Sequence, residues 1–222
     1  MTLKKSIGDF KEKFLQQVPQ RIQSVMHKAE QKLKRSQILK HALSVGDRAV
    51  DFTLPNVEDE PVLLADLRAN GAVVLSFYRG GWCPYCNLEL RALQNINDDI
   101  RALGAQLVAV SPQNPDESLS TAQKRGLEFE VLSDSNNKVA AQYGLSFSLD
   151  ESLRPIYEQW GADVAAVNND PECMLPVPAT YIIETDGTIL HAFAEEDYTQ
   201  RMEPEEVLKV LRERKRANSK RT

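Results

Sequence analysis

Cysteine is scarce in this chain: 222 residues hold three, an odd number. That is too few for the disulfide scaffold of a small secreted domain. No apolar run is long enough for a signal segment or a membrane span, and the first forty residues are amphipathic instead. The expected setting is a reducing compartment, with the cytoplasm as the default location. A glycine-rich phosphate loop is missing too, because Gly80-Gly81 is not followed by the Lys-Ser/Thr pair such loops carry. Histidine is limited to three residues, two of which, His27 and His41, lie near the N-terminus. A zinc site would need Cys83 and Cys86 joined by Cys173 and His191, without any second paired motif, so no metal is expected. Nothing local positions a histidine for a Cys–His hydrolase. Internal repeats and low-complexity tracts are absent.

What is present is ordinary apolar content, enough for one large core, and an uneven charge distribution. The net charge is −5. Residues 1–45 carry ten basic and three acidic side chains, residues 212–222 six and one, and residues 46–211 eleven and 28. An acidic body is a poor match for a polyanion, so nucleic acid is not an expected partner. The two basic ends either lie against that body or face an anionic surface or another subunit.

Hydrophobic spacing divides the chain into an amphipathic helical extension over 1–44, a main domain over 45–216 and a basic tail over 217–222. In the extension Leu3, Ile7, Phe10, Phe14, Val18, Ile22, Val25, Ala29 and Leu33 recur every three or four residues, the period of one helix face. Pro19 predicts a kink or two helices meeting there. This stripe packs on its own domain, joins a second copy as a homodimer, or rests on a membrane surface. The main domain alternates β and α patterns, which argues an α/β layered fold. Ala72–Tyr78 reads as a buried strand, Pro84–Leu103 as one helix ended by Gly104, and Leu107–Ser111 as the next strand. Pro115–Lys124 reads as a helix, Glu128–Leu132 as a strand and Asn136–Tyr143 as a helix capped by Gly144. A hairpin turns on Asp186-Gly187, and Pro204–Arg216 closes the domain. Residues 145–177 fit the alternation least and read as an insert, either for packing or beside the site.

The strongest feature is Cys83-Pro84-Tyr85-Cys86, set between the buried strand and the helical pattern that follows. A strand, a short Gly80-Gly81 turn and a helix place Cys83 at a helix N-terminus. Unpaired N–H groups and the positive dipole end favour a thiolate there. Cys86 lies nearly one turn further on, facing the first sulfur, so the pair can close a disulfide and form a two-electron redox centre.

At these residues a family resemblance enters. Phe77-Tyr78-Arg79-Gly80-Gly81-Trp82-Cys83-Pro84-Tyr85-Cys86 resembles the active-site stretch of peroxiredoxin-like proteins of the AhpC/TSA group. Gly46 to Pro55, Leu107-Val108-Ala109-Val110-Ser111, Val131-Leu132-Ser133-Asp134 and Pro178-Ala179-Thr180-Tyr181-Ile182-Ile183 are similar to further segments of that group, in the same order. The resemblance, over about residues 45–212, implies a thioredoxin-like fold of the peroxiredoxin type: a central mixed sheet flanked by helices, here with the N-terminal helical extension. It implies a thiol peroxidase acting on hydrogen peroxide or organic hydroperoxides, with thioredoxin, glutaredoxin or glutathione as electron donor and no cofactor on the chain.

The departures are specific. The family motif Pro-x-x-x-Thr-x-x-Cys is replaced here: Arg79 takes the Pro position, Cys83 the Thr position and Cys86 the cysteine position. The family's later Arg is replaced by Pro178, where thioredoxins carry a cis-proline facing their Cys-x-x-Cys. The tetrapeptide itself is similar to that of glutaredoxins. From the residues alone, Cys83 is the attacking sulfur and shielded Cys86 the resolver; the family register argues the reverse. Arg79 adds positive charge or orients a peroxide oxygen. Trp82 shields the disulfide, contacts a partner or is a partly buried ring. Pro178 is expected to be cis and to expose the backbone ahead of it to a substrate. Cys173 is an idle thiol, a distant resolver or an intersubunit link. A general protein thiol–disulfide oxidoreductase and a redox-switched binding protein are the competing readings.

Overall fold

A computed structural model describes residues 1–219. The N-terminal extension forms two helices, α1 (Leu3–Gln17) and α2 (Gln20–Ser36), which meet at Pro19. Proline lacks the N–H that would continue the first helix, but it suits the start of the second. A two-stranded ribbon follows, β1 (Thr53–Pro55) and β2 (Pro61–Leu63), then α3 (Leu64–Ala69) and β3 (Ala72–Phe77). Next come α4 (Pro84–Gln94), α5 (Asn97–Ala102), β4 (Ala105–Ser111), α6 (Pro115–Arg125), β5 (Glu130–Ser133) and α7 (Lys138–Gln142). The insert holds β6 (Ser146–Ser148), α8 (Arg154–Gln159), α9 (Val164–Asn168) and β7 (Met174–Pro176). The chain ends with β8 (Ala179–Ile183), β9 (Ile189–Ala194) and α10 (Pro204–Asn218).

Five strands form the central mixed sheet in the order β5-β4-β3-β8-β9. β3 and β4 pair in parallel, as do β4 and β5, while β8 runs antiparallel to both β3 and β9. Every residue of β3 is buried, as the uninterrupted run Ala-Val-Val-Leu-Ser-Phe requires of a central strand covered on both faces. Alternation assigns Val73, Leu75 and Phe77 to one apolar cluster, with Tyr143, Tyr181 and Leu132. Ala72 and Val74 face the other, with Leu93, Ile100, Val207 and Leu211 from the helices. β6 and β7 pair outside the main sheet.

The single helix expected over Pro84–Leu103 is two. The chain leaves helical geometry at Ile96 (φ −113°, ψ 8°). Asparagines on either side of a β-branched residue weaken the helix there. The bend lets Leu93 and Ile100 both enter the same cluster. At the C-terminus α10 runs to Asn218, so the tail expected from residue 217 begins within a helix. Residues 220–222 lie outside the described residues.

Among the described residues, basic side chains of both ends contact the acidic body. Arg214 makes a two-pronged contact with Glu184, at 2.8 Å each, and Lys32 meets Asp150 at 2.9 Å. The apolar stripe of α1 likewise packs on its own domain. Leu3 and Ile7 are buried against Tyr85, Cys86 and Leu90. Among the described residues no helix is long and apolar enough to cross a membrane.

Candidate active site

β3 delivers the chain to the middle of one sheet edge, where the N–H of Tyr78 still pairs with the Val110 carbonyl at 2.9 Å. Gly80 and Gly81 then turn it back. Gly80 has φ 142°, and a Cβ there would sit 2.5 Å from Trp82 Nε1; a Cβ on Gly81 would sit 2.2 Å from Thr121 Oγ1. The turn is therefore closed to larger residues. The Gly81 N–H donates to Gln113 Oε1 (2.7 Å), and Asn87 Nδ2 donates to the Gly81 carbonyl (2.8 Å). The result is Cys83 in extended geometry as the N-cap of α4, with Pro84 at the first helical position.

The two sulfurs are both buried but differ electrically. Burial works against a Cys83 thiolate, yet the hydrogen bond from the Cys86 thiol and the charges of Arg79 and Arg201 prevail and lower its pKa to about 6. Burial pushes Cys86 well above an ordinary thiol, and its hydrogen bond to Cys83 adds to this. At neutral pH the pair is one thiolate and one thiol, joined by a hydrogen bond. Both cysteines are free.

Arg79 is 3% exposed. Its Nη2 donates to the Tyr157 hydroxyl at 3.0 Å, and its guanidinium lies 4.9, 5.5 and 4.5 Å from the ring centres of Trp82, Tyr157 and Tyr198. Such a box of π faces partly replaces the lost hydration of the cation. Trp82 is thus a wall of the Arg79 box, with its ring 5.5 Å from that of Tyr157. Behind Cys86 lies a second charged group. Arg201 Nη2 donates to the Cys86 sulfur at 3.4 Å, while its Nε pairs with Glu89, which is 1% exposed. Burial raises the Glu89 pKa to about 7 against the opposing pull of Arg201.

Cys83 forms part of the wall of a cavity of about 510 Å³. Arg79, Trp82 and Tyr198 line it from the domain, Tyr157, Trp160 and Ala162 from the insert, and Phe14, Val18 and Met26 from the helical extension. The insert therefore stands beside the site. A second, apolar cavity of about 210 Å³ shares Arg79, Met26, Tyr157 and Tyr198 with the first.

The structure brings together Cys83, Cys86, Arg79 and Trp82. Pro178 is different, and two expectations for it are corrected. Its peptide bond is trans, as are all those among the described residues. β7 ends at Pro176 and β8 starts at Ala179, so Val177 and Pro178 alone separate the two strands. The backbone N–H ahead of Pro178 is also taken, since Val177 donates to the Leu145 carbonyl at 2.8 Å. Cys173 is buried in a separate cluster with Leu149, Tyr157 and Leu175, its thiol directed at the Pro171 carbonyl. His191 lies on β9 beside Glu206 of α10. No group of three metal-ligating side chains occurs among the described residues. Sequence reasoning missed Tyr157, Tyr198, Arg201 and Gln113, and left Glu89 unplaced.

The AhpC/TSA family model matches residues 45–192, two thirds of the chain. The chain belongs to the AhpC/TSA family. Peroxiredoxin Bcp of Escherichia coli K12 is 26% identical over 171 residues, covering 77% of this chain and 97% of that protein. The bcp protein of Haemophilus influenzae is 33% identical over 103 residues, 46% of this chain and 66% of its own length. Peroxidoxin BcpB of Mycobacterium tuberculosis has a crystal structure that shares the fold, with a TM-score of 0.61 at 24% identity over 77% of this chain and 97% of that one. Within this AhpC/TSA chain, α1 and α2 lie wholly outside the matched segment.

Proposed function

We propose that the chain is a peroxiredoxin-like thiol peroxidase in which Cys83 attacks the hydroperoxide and Cys86 resolves the product. The observation that carries this reading is the asymmetry of the pair: a thiolate at the N-terminus of α4, open to a cavity, against a protonated thiol one turn deeper. The Cys83 thiolate attacks the terminal peroxide oxygen, the O–O bond breaks, and the leaving oxygen takes a proton and departs as alcohol or water. Arg79 and Tyr157 stand where the developing negative charge falls. Cys83 is left as sulfenic acid. The Cys86 sulfur condenses with it, its proton leaving with the hydroxyl as water, and the disulfide forms. Arg201 stabilises the Cys86 sulfur as that proton departs. An external thiol then returns both sulfurs to the reduced state, in the cytoplasm by this reading. Thioredoxin, glutaredoxin and glutathione are the alternatives for that donor.

Peroxide titration of Cys83→Ser and Cys86→Ser with mass detection of the oxidised sulfur tests the assignment. Cys86→Ser is expected to gain one oxygen on Cys83, and Cys83→Ser to stay reduced at stoichiometric peroxide. The opposite result gives the attack to Cys86. If the reduced wild type reacts with peroxide no faster than free cysteine, the peroxidase reading fails. General protein thiol–disulfide exchange is less well supported, because the backbone ahead of Pro178 is already paired.

A further inference from the structure

Cys83 is 1% exposed, and the α1–α2 arm supplies Phe14, Val18 and Met26 to the far wall of the cavity beside it. The arm is fastened along its length. The Glu203 carboxylate accepts the N–H groups of Leu3 and Lys4 at 3.2 and 2.6 Å, closing the start of α1. Lys11 reaches Thr199 Oγ1 at 3.1 Å. Phe10 meets the Tyr85 ring edge-on at 5.2 Å, and Phe14 meets Trp160 at 5.3 Å. Lys32 pins α2 to Asp150. Under this roof the approach to the Cys83 sulfur is the cavity of about 510 Å³. That is within the range of small-molecule sites, on the order of 300–1,000 Å³. Thiol–disulfide exchange requires the incoming sulfur to reach the attacked sulfur itself. A folded protein presents its redox sulfur on a surface far broader than a small-molecule cavity.

Arg79 indicates what the small molecule carries. In the reduced state its charge faces the Cys83 thiolate. Disulfide formation removes that negative charge. The guanidinium is then left with three ring faces and one neutral hydroxyl, and its Nε has no acceptor. A buried cation without a counter-charge is costly. The oxidised site therefore favours an anion beside Arg79.

We infer that the Cys83–Cys86 disulfide is reduced through this cavity by a low-molecular-weight thiol bearing a carboxylate, seated on Arg79, while the arm shuts out folded protein reductants. The inference rests on the dithiol cycle proposed above. A thiolate attacks the Cys83 sulfur, forming a mixed disulfide, and the electron pair of the broken bond leaves on Cys86, which takes up a proton. A second thiolate attacks the small molecule's sulfur, releasing its symmetrical disulfide and the Cys83 thiolate. Two small thiols are oxidised and one protein disulfide is reduced.

The test oxidises the full chain with stoichiometric peroxide and follows reduction by 3-mercaptopropionate, by 2-mercaptoethanol and by a reduced thioredoxin. Each rate is normalised to the same thiol's rate with an exposed small-molecule disulfide. The carboxylate thiol is expected to be tenfold or more faster than the neutral one, the scale of a charge-assisted hydrogen bond. Propionate, which lacks sulfur, is expected to slow it competitively. Thioredoxin is expected to be slow on the wild type and at least tenfold faster on the doubly substituted Phe10→Asp, Phe14→Asp chain, whose arm is loosened. Equal rates for the two small thiols, untouched by propionate, overturn the carboxylate seat. Thioredoxin reducing the wild type as fast as the variant overturns the exclusion. Reduced wild type supplies a check without substitution: iodoacetamide is expected to modify Cys83 and a polymer-coupled maleimide to leave it free, and equal modification overturns the exclusion. If peroxide does not oxidise the pair, the peroxidase reading fails on its own, and diamide supplies the disulfide so that its reduction is still measured.

Discussion

Unfolding the reduced protein returns Cys83 to water, where a thiol ordinarily titrates near 9.0, whereas in the fold its pKa is about 6. Between those values the unfolded chain carries a proton on this sulfur that the native protein lacks, so stability rises with pH. Below about pH 6 both states hold the proton and the contribution is gone. Glu89 acts in the opposite sense at the acidic end of this window: its pKa is raised from 4.5 to about 7, so there the native state holds the extra proton. Above pH 7 both forms of Glu89 are ionised and Cys83 alone of the site changes. The rise from pH 7 to pH 9 is then roughly 2 kcal/mol, at about 1.4 kcal/mol per pH unit until the unfolded thiol itself starts to ionise. Above pH 9 the trend reverses, because burial keeps the proton on native Cys86 after the unfolded chain has released it. Urea unfolding of reduced, anaerobic protein across pH 6 to 10 reads this out, with Cys83→Ser as the reference. The difference between wild type and Cys83→Ser is expected to grow with pH up to 9. A difference that stays flat from pH 7 to pH 9 refutes the thiolate assignment and with it the electrostatic account of the pair. Iodoacetamide trapping of Cys83 gives the same quantity kinetically, with half-maximal rate expected near pH 6.

Three other perturbations bear on the same site. Arg201→Ala leaves Glu89 buried without its partner and is expected to cost about 3–5 kcal/mol in thermal or urea unfolding, while Glu89→Gln on that background recovers part of the loss. Gly81→Ala drives a methyl group onto Thr121 and is expected to destabilise by about 1–3 kcal/mol and slow peroxide oxidation of Cys83, measured by stopped flow. Glu203→Ala removes the acceptor for two N–H groups at the start of α1, with an expected loss of about 1 kcal/mol, faster amide exchange in α1 and faster alkylation of Cys83.

Features that rest on neighbouring residues were legible in the sequence. The buried run of β3, the proline that opens α4, the break at Pro19 and the turn at Asp186-Gly187 all declare themselves within a few positions. So did the place of Cys83 at the start of α4, because the strand, the glycine turn and the proline around it are all neighbours. The rest depends on contacts across the chain. Glu89 and Arg201 are 112 positions apart, and Arg79 and Tyr157 are 78 apart. A clue to the first pair was present: Glu89 falls in the buried stripe of α4 with Cys86, Leu90 and Leu93, where a lone carboxylate demands a cation. Tyr157 read as one more apolar residue of an insert, since its hydroxyl finds its partner only after the fold closes. The trans bond at Pro178 was missed because the expectation came from resemblance, while only Val177 and Pro178 separate β7 from β8 in this fold.

The carboxylate of Glu203 has a consequence for the order in which the molecule takes shape. α1 is made well before its tether, which lies 200 positions downstream, and before its aromatic seats, Tyr85 and Trp160, which arrive in between. A segment made ahead of all its partners is among the last to settle. Until it does, the dithiol stands uncovered, so a nascent or partly assembled chain reacts with thiols and oxidants that the finished protein turns away.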